Sequence, residues 1–173
     1  MIQEIIIRNE QPGDEPAISD LTVEAFKALE VSMHTEQFVI ESLREAGALT
    51  VSLVALLDCR IVGHIAFSPV SMSDGTAGWY GLGPVSVLPE LQRQGIGKAL
   101  IEKGLERIKA LGARGCCLVG HPEYYRQFGF SNPEGLVIEG VPHEVFFAIS
   151  FCGVIPPGSV AFHESFMARG TQG

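Results

Sequence analysis

The chain is short of positive charge. Twelve Lys and Arg stand against twenty Asp and Glu, a formal net charge of -8, and the basic residues form no cluster. Neutralising a row of phosphates needs clustered Lys and Arg, so nucleic acid and anionic membrane are excluded as partners. Cysteine is sparse too. Cys59, Cys116, Cys117 and Cys152 show no Cys-x-x-Cys spacing, which excludes the common zinc arrangements and leaves no metal in the expected site. Four buried free thiols in a reducing cytoplasm are the expectation. No apolar run approaches the roughly 18 residues of a membrane span. Met1-Ile2-Gln3-Glu4 has no basic stretch ahead of an apolar one and does not read as a signal peptide. Repeats, linkers and low-complexity segments are lacking, so residues 1–173 are expected to form a single domain.

What the chain does have is 46% hydrophobic residues, enough for one core, in an alternating order of elements. Glu4 to Arg8 reads as a strand. A helix is expected from about Ala17, with Ile18, Leu21, Ala25 and Leu29 inward, and a second from Thr35 to Ala46. Leu49 to Leu57 and Ile61 to Met72 flank Asp58-Cys59-Arg60 as a hairpin, and a further strand runs from Trp79 to Val87. Gly95 to Leu111 is amphipathic, with Ile96, Ala99, Leu100, Leu105, Ile108 and Leu111 on one side. Cys116 to Val119 then reads as a strand parallel to Trp79–Val87, because a helix crosses over between them. Pro122 to Phe128 suggests a short helix, and Glu144 to Cys152 and Ser159 to Ser165 are expected strands. The class is α+β with a mixed sheet.

The richest segment is the run from Val85 to Leu100. A strand pattern enters Gln92-Arg93-Gln94-Gly95-Ile96-Gly97-Lys98-Ala99, which opens the amphipathic helix. Such a turn aims backbone N–H groups at one point by a helix N-terminus, where phosphate is favoured. Side chains at Gly95 or Gly97 would hold a phosphate off the backbone. A P-loop would need glycine at position 92 and a hydroxyl residue at 99, where Gln92 and Ala99 stand. A dinucleotide fingerprint would need glycine at 100, where Leu100 stands.

The pattern Gln/Arg-x-x-Gly-x-Gly/Ala after a strand resembles the acyl-CoA-binding motif of the GNAT superfamily of N-acetyltransferases. Tyr124-Tyr125-Arg126-Gln127-Phe128-Gly129-Phe130 resembles that family's Phe-Tyr-x-x-x-Gly-Phe signature. The order of elements is similar over nearly the whole chain. The segments Val119–Phe130 and Ala161–Phe166 look like the bacterial YhbS-like branch. The resemblance implies a GNAT fold: a mixed, mostly antiparallel sheet with splayed parallel central strands and flanking helices. It implies acetyl-CoA as co-substrate and direct acetyl transfer to an amine, either a small molecule or a protein. A non-catalytic acyl-CoA-binding module is the alternative.

Roles follow by position. The resemblance gives Val85 a backbone N–H for the thioester carbonyl, and pairs Val87 with the pantetheine amides. Gln92 belongs to the motif, and the pyrophosphate falls to Arg93, Gln94, Gly95, Ile96, Gly97, Lys98 and Ala99, largely through backbone N–H groups. Tyr125 aligns with the general acid that protonates the leaving thiolate. A phenol, with a reference pKa of about 10 against about 8.5 for a thiol, suits that task; packing under the sheet is the other reading of Tyr125. Where many relatives have an asparagine-containing turn before the tyrosines, this chain has Gly120-His121-Pro122-Glu123. No general base is assigned among Glu24, Glu30, Glu36, Glu41, His64 and His121. The tail strands are as consistent with a homodimer paired across them as with a monomer.

Overall fold

The structure is a computed structural model, and it describes residues 4–29, 32 and 34–168. Along the chain lie β1 (Ile6–Asn9), α1 (Glu15–Phe26), α2 (Glu36–Glu45), β2 (Val51–Leu57), β3 (Arg60–Pro69), β4 (Ser71–Met72) and β5 (Trp79–Val87). They are followed by α3 (Ile96–Ala110), β6 (Gly115–Val119), β7 (Leu136–Val137), β8 (Phe146–Ser150) and β9 (Gly158–Ala161). Six strands form one sheet in the order β1-β2-β3-β5-β6-β8. Every neighbouring pair is antiparallel except β5 and β6, which the α3 crossover makes parallel.

Local chemistry explains where the elements begin and end. The β2–β3 hairpin turns through Asp58 and Cys59, both at positive φ (50° and 64°), the conformation that a tight two-residue hairpin turn demands. Helix α1 starts earlier than Ala17 because Pro16 suits the first turn, and Asp14 is fixed just before it by a 2.7 Å ion pair with Arg8. Leu29 lies beyond the end of α1 and is exposed, as is Leu111 beyond α3.

The run expected as one strand to Met72 is broken after Pro69. Ser71–Met72 leaves the main sheet and pairs with β9. The tail strand is accordingly shorter than expected, and it lies between β4 and β7, so both of its edges are paired within the chain. The strand expected over Glu144–Cys152 is reduced to Phe146–Ser150, because His143–Val145 forms a 3-10 turn. Of the four thiols only Cys116 and Cys117 are buried. Cys59 and Cys152 are exposed in the hairpin turn and beyond β8.

Helix α3 lies close to the sheet because glycine stands at both contacts. Gly63 of β3 faces Leu100 and Ile96, which would be 3.0 and 3.1 Å from an added Cβ. Gly104 of α3 faces the ring of Phe67, which is fully buried. Phe67, Leu100, Ile101, Leu105 and Ile108 belong to the main core between α3 and the sheet.

An alanine at Gly104 would overlap that ring. Helix propensity favours Gly104→Ala by about 1 kcal/mol, but overpacking a closed core costs roughly 1–3 kcal/mol. The substitution is therefore expected to lower the urea midpoint, with a net loss of about 1 kcal/mol. An unchanged or higher midpoint would show that Phe67 has room to move.

Candidate functional site

β5 is paired to β3 along most of its length but to β6 only at Trp79, Tyr80 and Gly81. Past that point β6 continues with β8 as far as Val119 opposite Phe146, and the two parallel strands separate. The cause lies on β5. Ile65 faces Val85 and Phe67 faces Leu82, so Ala66 alone stands opposite both Gly83 and Pro84. An extra residue bends and twists the strand that carries it, and Pro84 has no N–H to give a ladder. The edge of β5 from Leu82 to Val87 is thereby released from β6.

The opening is a cleft of about 440 Å³. Val85 and Val87 line one wall and the start of α3 the other. Gly95 is left-handed (φ 89°) and caps α3 without any side-chain hydrogen bond. The first backbone bond closing onto the helix runs from Ala99 N–H to Gly95 C=O at 3.0 Å. The N–H groups of Ile96, Gly97 and Lys98 therefore have no carbonyl within the helix. An added Cβ at Gly97 would lie 3.5 Å from the Tyr124 hydroxyl and 3.8 Å from Val87, ordinary contact distances. Glycine there keeps room for an occupant, whereas at Gly95 it serves the turn itself.

Gln92, Arg93 and Lys98 line the cleft with Gly95 and Gly97. Arg93 and Lys98 give it two cations, and none of its lining residues is acidic. Lys98 is 4.0 Å from Glu102 with both side chains more than half exposed, a pairing too weak to cancel its charge. The Gln92 amide donates to the Val87 carbonyl at 3.1 Å, tying the turn to the strand. Other side chains of the motif point elsewhere. Gln94 donates to the Glu90 carbonyl at 3.5 Å, Ile96 is in the core, and Ala99 is half-buried outside the lining. Leu91, Ile101, Tyr124 and Gln127 line the cleft as well. Of these, Ile101 could have been found from helical spacing, since it lies four residues after Gly97.

The two tyrosines part company. Tyr124 lines the cleft. Tyr125 is 9% exposed and packs against Phe128, Phe130 and Phe147 with ring centroids 6.2 to 6.3 Å apart. Its ring also covers Gly120, just past the end of β6, where a Cβ would collide with it. Burial, with a smaller contribution from Tyr124, pushes the Tyr125 phenol up to about 12. Burial and then Glu102 raise Tyr124 as well. Both phenols keep their protons at neutral pH.

The possible bases are scattered. Glu24 and Glu41 are exposed, and Glu36 accepts from the Ser32 hydroxyl at 2.9 Å. Glu30 lies outside the described residues. His121 Nδ1 accepts the Glu123 N–H at 3.2 Å. His64 is fully buried on β3, with Nε2 2.8 Å from the Ser52 hydroxyl. Ser52 in turn donates to Glu10 at 2.9 Å, and Arg44 grips the same carboxylate at 2.7 and 3.0 Å.

Comparison with known proteins agrees with this geometry. Residues 49–132 match the family model described as "Acetyltransferase (GNAT) domain". The chain is 33% identical over 127 residues to the Escherichia coli K12 protein named "Uncharacterized N-acetyltransferase YhbS", covering 73% of each. A Brucella melitensis GNAT family acetyltransferase solved with acetyl-CoA is 43% identical, with a TM-score of 0.85 over 95% of this chain and 99% of that one. The structure of E. coli YhbS with CoA is 29% identical, with a TM-score of 0.87 over 98% and 96%. Fold and relatives together define an acyltransferase enzyme. The chain belongs to the GNAT acetyltransferase family.

Burial, opposed by Glu10 and reinforced by Arg44, lowers His64 from 6.5 to about 4. The unfolded chain therefore binds the proton first as pH falls. Stability from the neutral ring is complete above pH 6.5 and is lost between 6.5 and 4, by about 3 kcal/mol. Denaturation midpoints across that window should fall in the wild type and fall less in His64→Gln. Parallel curves would contradict it.

Proposed function

We propose that the chain moves the acetyl group of acetyl-CoA directly onto an amine. The observation that carries this reading is that the released edge of β5 and the free amides of α3 face one cleft. An unpaired strand edge offers an extended arm with alternating amides the pairing that a missing strand would make. Helix amides with Arg93 and Lys98 beside them suit a pyrophosphate. A pantetheine arm ending in a pyrophosphate carries both of these parts. Two solved relatives are described in complex with acetyl-CoA or CoA, which supports the same occupant here.

The roles follow from the chemistry of a thioester. As the amine attacks, charge develops on the carbonyl oxygen, and the Val85 N–H beside the bulge is the fixed donor for it. Pairing of the arm at Val87 replaces the Gln92 amide that now occupies the Val87 carbonyl. Gln94, Ile96 and Ala99 contribute main chain rather than side chain. Tyr125, which burial keeps protonated at neutral pH, is the proton donor for the departing thiolate. The net charge of -8 favours a cationic amine as acceptor.

The burial of Tyr125 also suits a module that binds acyl-CoA without turning it over. Thiol release from acetyl-CoA against a panel of amines separates the two. Tyr125→Phe should lower acceptor-dependent release by about 10²-fold while acetyl-CoA affinity stays constant. Tyr124→Phe should mainly alter affinity. A Tyr125→Phe protein with full turnover would remove the phenol from the mechanism, and absence of release with every amine would favour the binding module.

A further inference from the structure

A second opening, of about 490 Å³, lies at the opposite end of α3 from the cleft and shares no lining residue with it. Its size falls within the roughly 300–1,000 Å³ that small-molecule pockets occupy. Strand register creates it. β1 meets β2 only from Asn9 opposite Leu53 to Ile6 opposite Leu56. The Glu10 N–H makes one further bond, to the Ser52 carbonyl at 2.9 Å, and the chain then turns away through Gly13, which is left-handed (φ 101°). Leu49, Thr50 and Val51 are left beyond the end of β1 and form part of the wall. Two helices end beside them. Arg44 and Gly47 come from the close of α2, and Arg107, Ala110 and Leu111 from the close of α3.

The charges in this lining do not cancel. Glu10 is its one carboxylate, and that group is already engaged. Arg44 donates to it from Nε and Nη2 at 3.0 and 2.7 Å, and the Ser52 hydroxyl donates at 2.9 Å. Arg107 has no carboxylate partner among the described residues. Its Nη1 donates to the neutral Asn9 Oδ1 at 2.6 Å, which leaves the edge formed by Nε and Nη2 unbonded there. That edge matches a carboxylate, which accepts two parallel hydrogen bonds from it. Asn9, with its oxygen taken, still has the Nδ2 hydrogens to give. Leu49, Val51, Ala110 and Leu111 make the rest of the wall apolar, and Leu111 is 61% exposed. A few polar groups that fix orientation, set among apolar side chains, are the usual make-up of a small-molecule site.

We propose that this opening binds a small monocarboxylate with an apolar body. Arg107 and Asn9 hold the carboxylate, and Leu49, Val51 and Leu111 receive the body. The head group is a monoanion rather than a phosphate because two helices end here, and the partial negative charge of a helix C-terminus disfavours a dianion. A monoanion meets less of that charge, since carbonyls of both last turns are taken. The Leu43 carbonyl accepts the Ala48 N–H at 2.9 Å, and the Ile108 carbonyl accepts the Ala113 N–H at 3.0 Å. The site is separate from the acetyl-CoA cleft and does not depend on the transfer reading.

Hexanoate is the probe, added to the intact protein and followed by backbone amide shifts, with hexylammonium and inorganic phosphate as controls. The amides of Asn9, Thr50, Val51, Ala110 and Leu111 are expected to shift together and saturate, while Val85 and Gly97 stay still. The expected Kd is about 1 mM, the affinity that about eight non-hydrogen atoms support. Arg107→Gln should raise it about tenfold, and Arg107→Lys by less, because a lysine keeps the charge without the fork. Leu111→Ser should weaken hexanoate about threefold by removing part of the apolar wall. Each variant should titrate with CoA as the wild type does. Equal binding of hexylammonium or phosphate at the same amides would overturn the choice of ligand. Absence of saturable shifts there, or wild-type affinity in Arg107→Gln, would overturn the site, and acetyl transfer would stand in either case.

Discussion

The extra residue at Gly83–Pro84 is the feature on which the rest of the structure depends. Without it, β5 would continue beside β6, its edge facing β6 would be paired, and no cleft would exist. The bulge frees the edge while β3 holds the strand from the other side. The exposed main chain is therefore rigid as well as unpaired. That combination suits main-chain recognition, since little conformational freedom remains to be lost on binding. Helix α3 completes the arrangement by bringing its N-terminal turn, with Gly97 and Lys98, to the same opening, and its close approach relies on glycine at positions 63 and 104.

Charge is distributed to match. A protein with a net charge of -8 would repel a polyanionic ligand from most of its surface. The cleft departs from that average, with Arg93 and Lys98 among its lining residues and no carboxylate. The acidic remainder favours cations over anions. The polar chain through His64, Ser52, Glu10 and Arg44 lies outside that cleft.

Much of this was legible in the residues. The Gly95 and Gly97 turn, the parallel crossover and the mixed sheet follow from periodicity and glycine placement, because those signals are local and strong. The break after Pro69 and the small sheet of β4, β9 and β7 were not legible. Their pairing joins segments about ninety residues apart, as with Ser71 opposite Ala161, and two-residue strands carry no period. The tyrosine pair shows a different limit. Adjacent aromatic residues look alike in sequence, and only the ring packing over Gly120 shows that Tyr125 turns into the core while Tyr124 meets the cleft. The polar network was hidden for the same reason: Glu10, Ser52 and His64 come from three segments, and only strand register brings them together.

The most direct measurement is a backbone amide titration with CoA. The amides of Val85, Val87 and Gly95 through Lys98 are expected to shift together and saturate. The protein offers a second, larger opening of about 490 Å³, lined in part by Asn9, Glu10, Arg44 and Arg107. Shifts confined to that opening, with Val85 and the start of α3 unmoved, would contradict the assignment of the cleft.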